Sequence, residues 1–212
     1  MTTANRVVAF VVALIAALPA LADEYENPVL KIGDIAPSWG DLPGVDGKKH
    51  SSASLAKKRV VVVTFICNSC PYAVDYEDRL IKFAKKHSAK DSEVVVVAVN
   101  VNTVAADALP AMKEKAKKKS FPFLYLFDET QKIARDFGAG TTPEFFVLNY
   151  ERKLVYMGAM DDNTQAKKVT RNYVQEAVDA ALAGKKPAVE KALPIGCRIR
   201  FERRRKKRPK KN

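Results

Sequence analysis

The feature that most constrains this chain is Cys67-Asn68-Ser69-Cys70, two cysteines separated by two residues and followed by Pro71. The motif joins a continuous apolar run, residues 60–66, to residues 72–87, whose apolar side chains have helical spacing. The run predicts a strand that is buried on both faces. A strand that leads into a helix through this motif brings two thiols within disulfide reach. It also places the first sulfur, that of Cys67, near a helix N-terminus, where the nucleophilic thiolate is favoured, so the motif predicts redox chemistry.

The first 22 residues are predicted to be a secretory signal peptide. Arg6 precedes an apolar run over residues 7–18, and Ala20-Leu21-Ala22 forms a small-residue cleavage signal. The run is short for a membrane-spanning helix, although an uncleaved anchor is the alternative. We therefore expect an exported protein, periplasmic or otherwise extracytoplasmic. In such a compartment two neighbouring cysteines can persist as a disulfide.

Length and charge predict one domain with a basic tail. The 212 residues suit a signal peptide (1–22), a domain (23–197) and a disordered tail (198–212). Of the net charge of +13, the tail carries most, since it contains ten Lys or Arg and one Glu. For an exported protein this favours an anionic membrane or envelope surface as a partner of Arg198 to Lys211. Nucleic acid is disfavoured because Phe201 is the tail's one aromatic residue.

The order of the remaining elements predicts an α/β fold. An Asp46-Gly47 turn between residues 39–42 and 48–50 indicates an N-terminal β-hairpin. Alternating strands and helices predict parallel crossovers, and a short late turn predicts an antiparallel pair, which together give a mixed central sheet with helices on both faces. The predicted strands are 60–66, 94–101, 123–127, 144–148 and 154–157, and the predicted helices are 72–87, 110–119, 130–137 and 170–182.

These residues resemble the thioredoxin-like superfamily, and more narrowly its peroxiredoxin-like redoxins, from about residue 31 to 199. The likeness rests on the strand before Cys67-Asn68-Ser69-Cys70-Pro71 and on Thr142-Pro143 before a later strand. It implies a thioredoxin-like fold with an N-terminal hairpin extension. It also implies a cis peptide bond at Pro143 and substrate binding by Thr142 and Pro143.

The leading hypothesis for function is an exported thiol–disulfide oxidoreductase without a cofactor or metal. Cys67 is expected to be the more exposed, attacking sulfur, and Cys70 to resolve the mixed disulfide. The expected partners are protein or small-molecule thiols and disulfides, together with an unidentified electron donor. Ile66 stands where thioredoxins have Trp, and the strand carries no acidic residue. A proton relay for Cys70 is therefore expected from water, Glu144 or Asp128.

Two other functions on the same fold stay open. A thiol peroxidase is one, although the Pro and Thr positions of the peroxiredoxin motif hold Val63 and Cys67, which argues against it. A non-enzymatic copper or assembly carrier is the other, for which the chain has two histidines, His50 and His87. A c-type haem is excluded because Pro71 stands where its His ligand belongs.

The third cysteine and a run of acidic residues complete the candidate features. Cys197 could be an additional redox thiol that exchanges with Cys67 or Cys70, the site of an intermolecular disulfide, or an idle thiol. Asp161-Asp162-Asn163 is predicted to be a polar turn, because it lacks the spacing of a calcium-binding loop.

Overall fold

The computed structural model describes residues 25–202, so the predicted signal peptide and residues 203–212 of the basic tail lie outside it. The helices within this range are α1 (Pro71–Lys86), α2 (Leu109–Lys119), α3 (Lys132–Phe137) and α4 (Tyr173–Leu182). The strands are β1 (Leu42–Pro43), β2 (Lys49–His50), β3 (Val60–Phe65), β4 (Val94–Asn100), β5 (Leu124–Phe127), β6 (Thr141–Thr142), β7 (Glu144–Leu148), β8 (Leu154–Gly158), β9 (Lys191–Ala192) and β10 (Cys197–Arg198). No helix among these residues is long and apolar enough to cross a bilayer.

Six strands form a mixed central sheet in the order β5-β4-β3-β7-β8-β9. The pairs β3–β4 and β4–β5 are parallel, whereas β3–β7 and β7–β8 are antiparallel. Every residue of β3 is buried because the strand lies in the middle of the sheet. The continuous apolar run thus forms the doubly buried strand that its composition predicts, and its carboxyl end is where the cysteine motif begins.

Helices cover both faces of the sheet, as predicted. On one face α1, α2 and α4 bury apolar side chains such as Leu80, Met112 and Val178. On the other face α3 and the N-terminal segment pack over the sheet, and the rings of Phe65, Phe137 and Phe146 meet edge to face with centroids 5.3–5.8 Å apart. Burial of apolar side chains on both faces fixes the sheet and therefore the position of the cysteine motif at its edge.

The predicted N-terminal hairpin is present as the pair β1–β2. Leu42 lies opposite His50, and Gly47 occupies the turn with φ of +80°, a conformation that favours glycine. The Asp46 carboxylate accepts hydrogen bonds from the Lys48 amide and the His50 ring. The hairpin therefore forms where the Asp-Gly turn predicts it.

The folded domain continues beyond the predicted boundary at residue 197. Cys197 and Arg198 form β10, Ile199 is buried, and the Glu202 amide donates to Gln131 Oε1 at 2.7 Å. Residues 198–202 therefore belong to the fold rather than to a disordered tail. The prediction of disorder rested on the high charge of this segment. Composition does not show that Ile199 is buried or that the backbone of the segment is hydrogen-bonded.

Candidate active site

Cys70 begins the helix that follows the central strand. It is the N-cap of α1, and its Sγ accepts a hydrogen bond from the Ala73 amide at 3.4 Å. Pro71 takes the first helical position, where a missing N–H costs nothing. Since the free amides at a helix N-terminus stabilise negative charge, this location favours a Cys70 thiolate.

Both sulfurs of the motif are buried, with Cys67 3% and Cys70 2% exposed, and both are free thiols. Cys67 Sγ lies 3.6 Å from Thr142 Oγ1. The Cys70 thiol donates to the Thr142 carbonyl oxygen, 3.0 Å away. The Thr142–Pro143 peptide bond is cis. The structure thus brings together all four site residues expected from the motif and from the resemblance.

The two thiols have opposite pKa shifts. A hydrogen bond from the Cys67 thiol lowers the pKa of Cys70 to about 4, with further help from Cys197 and the Ala73 amide. Burial opposes that shift, whereas the Thr142 side chain contributes to it. The pKa of Cys67 is raised by its hydrogen bond to Cys70, by burial and by the Asp107 carboxylate.

The direction of these shifts differs from the expectation that Cys67 is the attacking sulfur. The pKa of Cys70 is shifted down and that of Cys67 is shifted up, so the surroundings favour negative charge on Cys70 over Cys67. Cys67 is also no more exposed in practice than Cys70. The difference arises because α1 begins at Pro71, so that Cys70 and not Cys67 caps the helix.

A buried carboxylate that the sequence analysis missed holds the loop between the cysteines. Asp107 is fully buried and accepts hydrogen bonds from the Ser69 amide at 2.8 Å and the Ser69 hydroxyl at 2.6 Å. It also accepts from Asn102 Nδ2 at 3.2 Å. Asp107 follows β4, which is parallel to β3, and residues after adjacent parallel strands share one sheet edge. That rule was the signal that could have identified it.

Neither carboxylate expected to serve as a proton relay acts on the thiols. Asp128 caps α3 by accepting from the Thr130 and Ile133 amides. Glu144 accepts from the Thr141 amide and from the Tyr25 hydroxyl, and burial raises its pKa. Asp107 is the carboxylate that acts on a cysteine of the motif, through its charge on Cys67.

Asn68 forms hydrogen bonds with three different segments of the chain. Its side chain donates to the Ala106 carbonyl at 2.9 Å and accepts from the Tyr125 hydroxyl at 3.0 Å. Its carbonyl accepts from Lys115 Nζ at 3.3 Å. Together with the bonds of Ser69, these contacts leave both residues between the cysteines fixed, so that the thiol geometry is preorganised.

Cys197 lies beside the motif although it is 127 residues away in sequence. In the antiparallel pair β6–β10 it stands opposite Thr142. Its thiol is hydrogen-bonded to Cys70, and this bond, followed by burial, raises the pKa of Cys197. Unlike the two cysteines of the motif, Cys197 is partly exposed to solvent.

The remaining candidate features lie elsewhere. Asp161 is buried and forms an ion pair with Arg79 at 2.6 Å, and Asp162 accepts from the Thr170 amide. His50 pairs with Asp46, and His87 follows the last turn of α1. In the part of the chain from 25 to 202, no group of three or more His, Cys, Asp or Glu side chains is arranged to hold a metal ion.

A family model described as Redoxin matches residues 31–174, more than half of the chain. The chain therefore belongs to the redoxin family, and its fold is thioredoxin-like α/β. No match was found among curated proteins. Family membership supports a redox function, that of an oxidoreductase acting on thiols or disulfides.

Solved structures agree with this assignment. A hypothetical protein from Sinorhizobium meliloti 1021 is 31% identical, with 82% of this chain and 96% of that chain covered and a TM-score of 0.75. An uncharacterized conserved protein from Geobacillus kaustophilus is 30% identical, with 82% and 94% covered and a TM-score of 0.75. A thiol:disulfide interchange protein of the thioredoxin family from Chlorobium tepidum TLS shares the fold at 24% identity, with 61% and 87% covered and a TM-score of 0.50.

Proposed function

We propose that this chain is a thiol–disulfide oxidoreductase in which Cys70 is the nucleophile and Cys67 the resolving thiol. The observation that carries the proposal is the position of Cys70. Its sulfur caps α1, accepts a hydrogen bond from Cys67 and adjoins the Thr142 backbone. Thiol–disulfide exchange requires a thiolate next to a second thiol, and this arrangement supplies both.

The reaction proceeds by two exchanges. The Cys70 thiolate attacks one sulfur of a substrate disulfide, forms a mixed disulfide and releases the other substrate sulfur as a thiolate. Cys67 then attacks Cys70 Sγ, its proton passes to the departing sulfur, and a Cys67–Cys70 disulfide remains. The substrate disulfide is reduced by two electrons and the protein dithiol is oxidised by two. A donor dithiol reverses the protein's oxidation, and the same steps run backwards oxidise a substrate.

Thr142 is suited to bind an extended substrate. Its carbonyl lies next to Cys70 Sγ, and backbone groups at the edge of a short strand can pair with another extended chain. Because β10 pairs with β6 in this structure, such binding requires β10 to move away. Protein disulfides in unfolded or extended segments are therefore the substrate class that we propose, together with small disulfides.

Reduction of insulin by the purified protein, with dithiothreitol as donor, tests the proposal. We expect turnover by the wild type, loss of turnover in Cys70→Ser, and trapped substrate on Cys70 in the double variant Cys67→Ser/Cys197→Ser, which has no second thiol beside Cys70. Equal turnover in wild type and Cys70→Ser would refute it. The reduction potential of the Cys67–Cys70 pair then gives the direction, because roughly −270 mV suits a reductant and roughly −120 mV an oxidant.

A thiol peroxidase is the weaker alternative. The residue three positions before Cys70 is Cys67, whose thiol replaces the hydroxyl of the peroxiredoxin motif. Steady-state consumption of hydrogen peroxide coupled to a dithiol donor would distinguish the two, and we expect no rate above that of the donor alone.

Export and an anionic surface partner complete the proposal. The small-residue cleavage signal before Asp23 supports removal of residues 1–22, and the basic composition of residues 198–211 supports binding to anionic envelope polymers or lipids. N-terminal sequencing of the protein from an extracytoplasmic fraction tests the first point. Salt-sensitive binding to vesicles that contain phosphatidylglycerol tests the second.

A further inference from the structure

The C-terminal segment occupies the backbone edge that the proposed function assigns to substrate. β10 pairs antiparallel with β6, with Cys197 opposite Thr142 and Arg198 opposite Thr141. An added strand is also the way in which an extended peptide binds to a sheet edge. The chain therefore places one of its own cysteines where a substrate cysteine would stand.

Several contacts hold this segment in place. At Gly196 a Cβ would lie 2.1 Å from the Thr142 carbonyl oxygen, so the close approach requires a residue without a side chain. After β10, the Ile199 amide donates to the Gly140 carbonyl at 2.9 Å, and Gln131 Nε2 donates to the Arg200 carbonyl at 2.8 Å. The position of Cys197 is thus fixed by the fold and does not depend on chance contact.

The three thiols form a series from solvent to core. Cys197 is partly exposed, and the Tyr72 amide at the start of α1 lowers its pKa. Cys70 is buried, its Sγ lies 3.0 Å from the carbonyl of Thr142, which stands opposite Cys197, and both Cys197 and Cys67 act on its pKa. Cys70 therefore has two thiol partners, and the one that reaches solvent is Cys197.

We infer that Cys197 is a third exchanging thiol, which forms a disulfide with Cys70 while β10 stays paired with Thr142. This inference rests on the proposed function, which supplies the oxidised Cys67–Cys70 pair. Cys197, as its thiolate, attacks Cys70 Sγ. The Cys70–Cys197 bond forms, the Cys67–Cys70 bond breaks, and Cys67 leaves with the proton that Cys197 gave up. The exchange moves a disulfide and involves no net oxidation.

The exchange has a consequence for substrate access. In the Cys70–Cys197 form, β10 is covalently held over the Thr142 edge, so an extended substrate is excluded from it. Cys197 is then the sulfur nearest to solvent at which a donor thiol can attack. The protein would therefore be oxidised through one thiol pair and reduced through another.

Peptide mapping of the full chain tests this inference. Trypsin leaves Cys67 and Cys70 together in peptide 60–79 and Cys197 in peptide 192–198. We expect Cys67→Ser, oxidised with glutathione disulfide and alkylated, to yield these two peptides joined by a disulfide within one chain, with no glutathione retained. Cys70→Ser is the matched control and should lose the joined peptides, because Cys197 stands opposite Thr142, whose carbonyl contacts Cys70 Sγ.

Two results would contradict the proposed exchange between Cys197 and Cys70. Glutathione retained on Cys70 in Cys67→Ser, or linkage between two chains, would overturn the inference. Far-ultraviolet circular dichroism and urea unfolding establish that each variant folds. A failure of the inference is separable from a failure of the proposed function, because insulin turnover without the joined peptides refutes only the former. Joined peptides without turnover refute the latter.

Discussion

Cys197 lies directly opposite Thr142 in the antiparallel pair of β10 and β6. The carbonyl oxygen of the same Thr142 lies 3.0 Å from Cys70 Sγ. One backbone position therefore contacts the buried nucleophile and also orders the C-terminal thiol. The proposed attack by Cys70 and the proposed exchange with Cys197 therefore share Thr142. The pairing of β10 with β6 depends on the close approach of Gly196 to the Thr142 carbonyl.

Gly196→Ala should displace β10 from its pairing with β6 while leaving all three cysteines in the sequence. The added methyl group would overlap the Thr142 carbonyl, and a displacement of about 1 Å can slow a positioned reaction about 100-fold. We expect much slower formation of the Cys70–Cys197 link in the Cys67→Ser background. Closure of the Cys67–Cys70 disulfide in the wild-type background should be retained. Quenched time courses analysed by peptide mapping measure both rates, and unchanged linkage would show that β10 is not what positions Cys197.

The Cys70 thiolate should persist to acidic pH in the reduced protein. Its pKa is lowered to about 4, first by the hydrogen bond from Cys67, so ultraviolet thiolate absorbance should fall only as pH drops through that value. Because the folded-state pKa lies below the unfolded one, the resulting stabilisation is complete at alkaline pH and lost as pH falls toward about 4. In Cys67→Ala the titration should move to higher pH. A transition near the ordinary thiol value in the wild type would contradict the assignment of Cys70 as nucleophile.

Asp107→Asn should loosen the loop between the cysteines. The carboxylate accepts two hydrogen bonds from Ser69, and a hydrogen bond to a charged group contributes about 1.5–3 kcal/mol. We expect a loss of this order in the free energy of unfolding, measured in urea, and a lower Cys67 pKa because the nearby charge is removed. Asp136→Asn, in a surface pair with Lys132, is the control and should change stability little. Equal effects of both substitutions would refute a special role for Asp107.

Arg79→Ala should be strongly destabilising. Arg79 pairs with the buried Asp161 at 2.6 Å and donates to the carbonyls of Asn163 and Thr164. Removing it leaves a buried charge without its partner, which typically costs about 3–5 kcal/mol. Lys153→Ala removes one partner of an exposed pair and should cost less than about 1 kcal/mol. Urea unfolding compares the two variants, and similar costs would show that the Arg79 network is dispensable.

Glu144 should make the free energy of unfolding depend on pH in the weakly acidic range. Burial raises its pKa, so the folded state binds its proton more tightly than the unfolded state. The contribution of Glu144 to stability therefore declines as pH rises from its usual range of about 4.3 through the folded-state pKa. The stability difference between wild type and Glu144→Gln should shift in favour of Gln over this interval. Urea unfolding at a series of pH values measures it, and a shift in favour of Glu would give the wrong sign.

The sequence predicts the central elements well because their signals are local. The apolar run at residues 60–66 can hardly form anything other than a buried strand, and β7 has the predicted bounds of residues 144–148. The two-residue strands β6, β9 and β10 carry no such signal. Each exists only because a distant segment supplies its hydrogen-bond partners, as Thr142 does for Cys197.

For the site as well, some features could be predicted from the sequence and others required the tertiary structure. The sequence by itself determined the α/β order of strands and helices and the spacing of Cys67 and Cys70, because spacing and periodicity are properties of neighbouring residues. Its resemblance to the thioredoxin-like superfamily implied the particular fold and the role of Thr142-Pro143. Only the tertiary structure shows which sulfur has the surroundings that favour negative charge, since this depends on where α1 starts and on which donors surround Cys70. Only the tertiary structure showed that Asp107 and Cys197 contact the motif region, because these contacts join residues that are far apart in sequence.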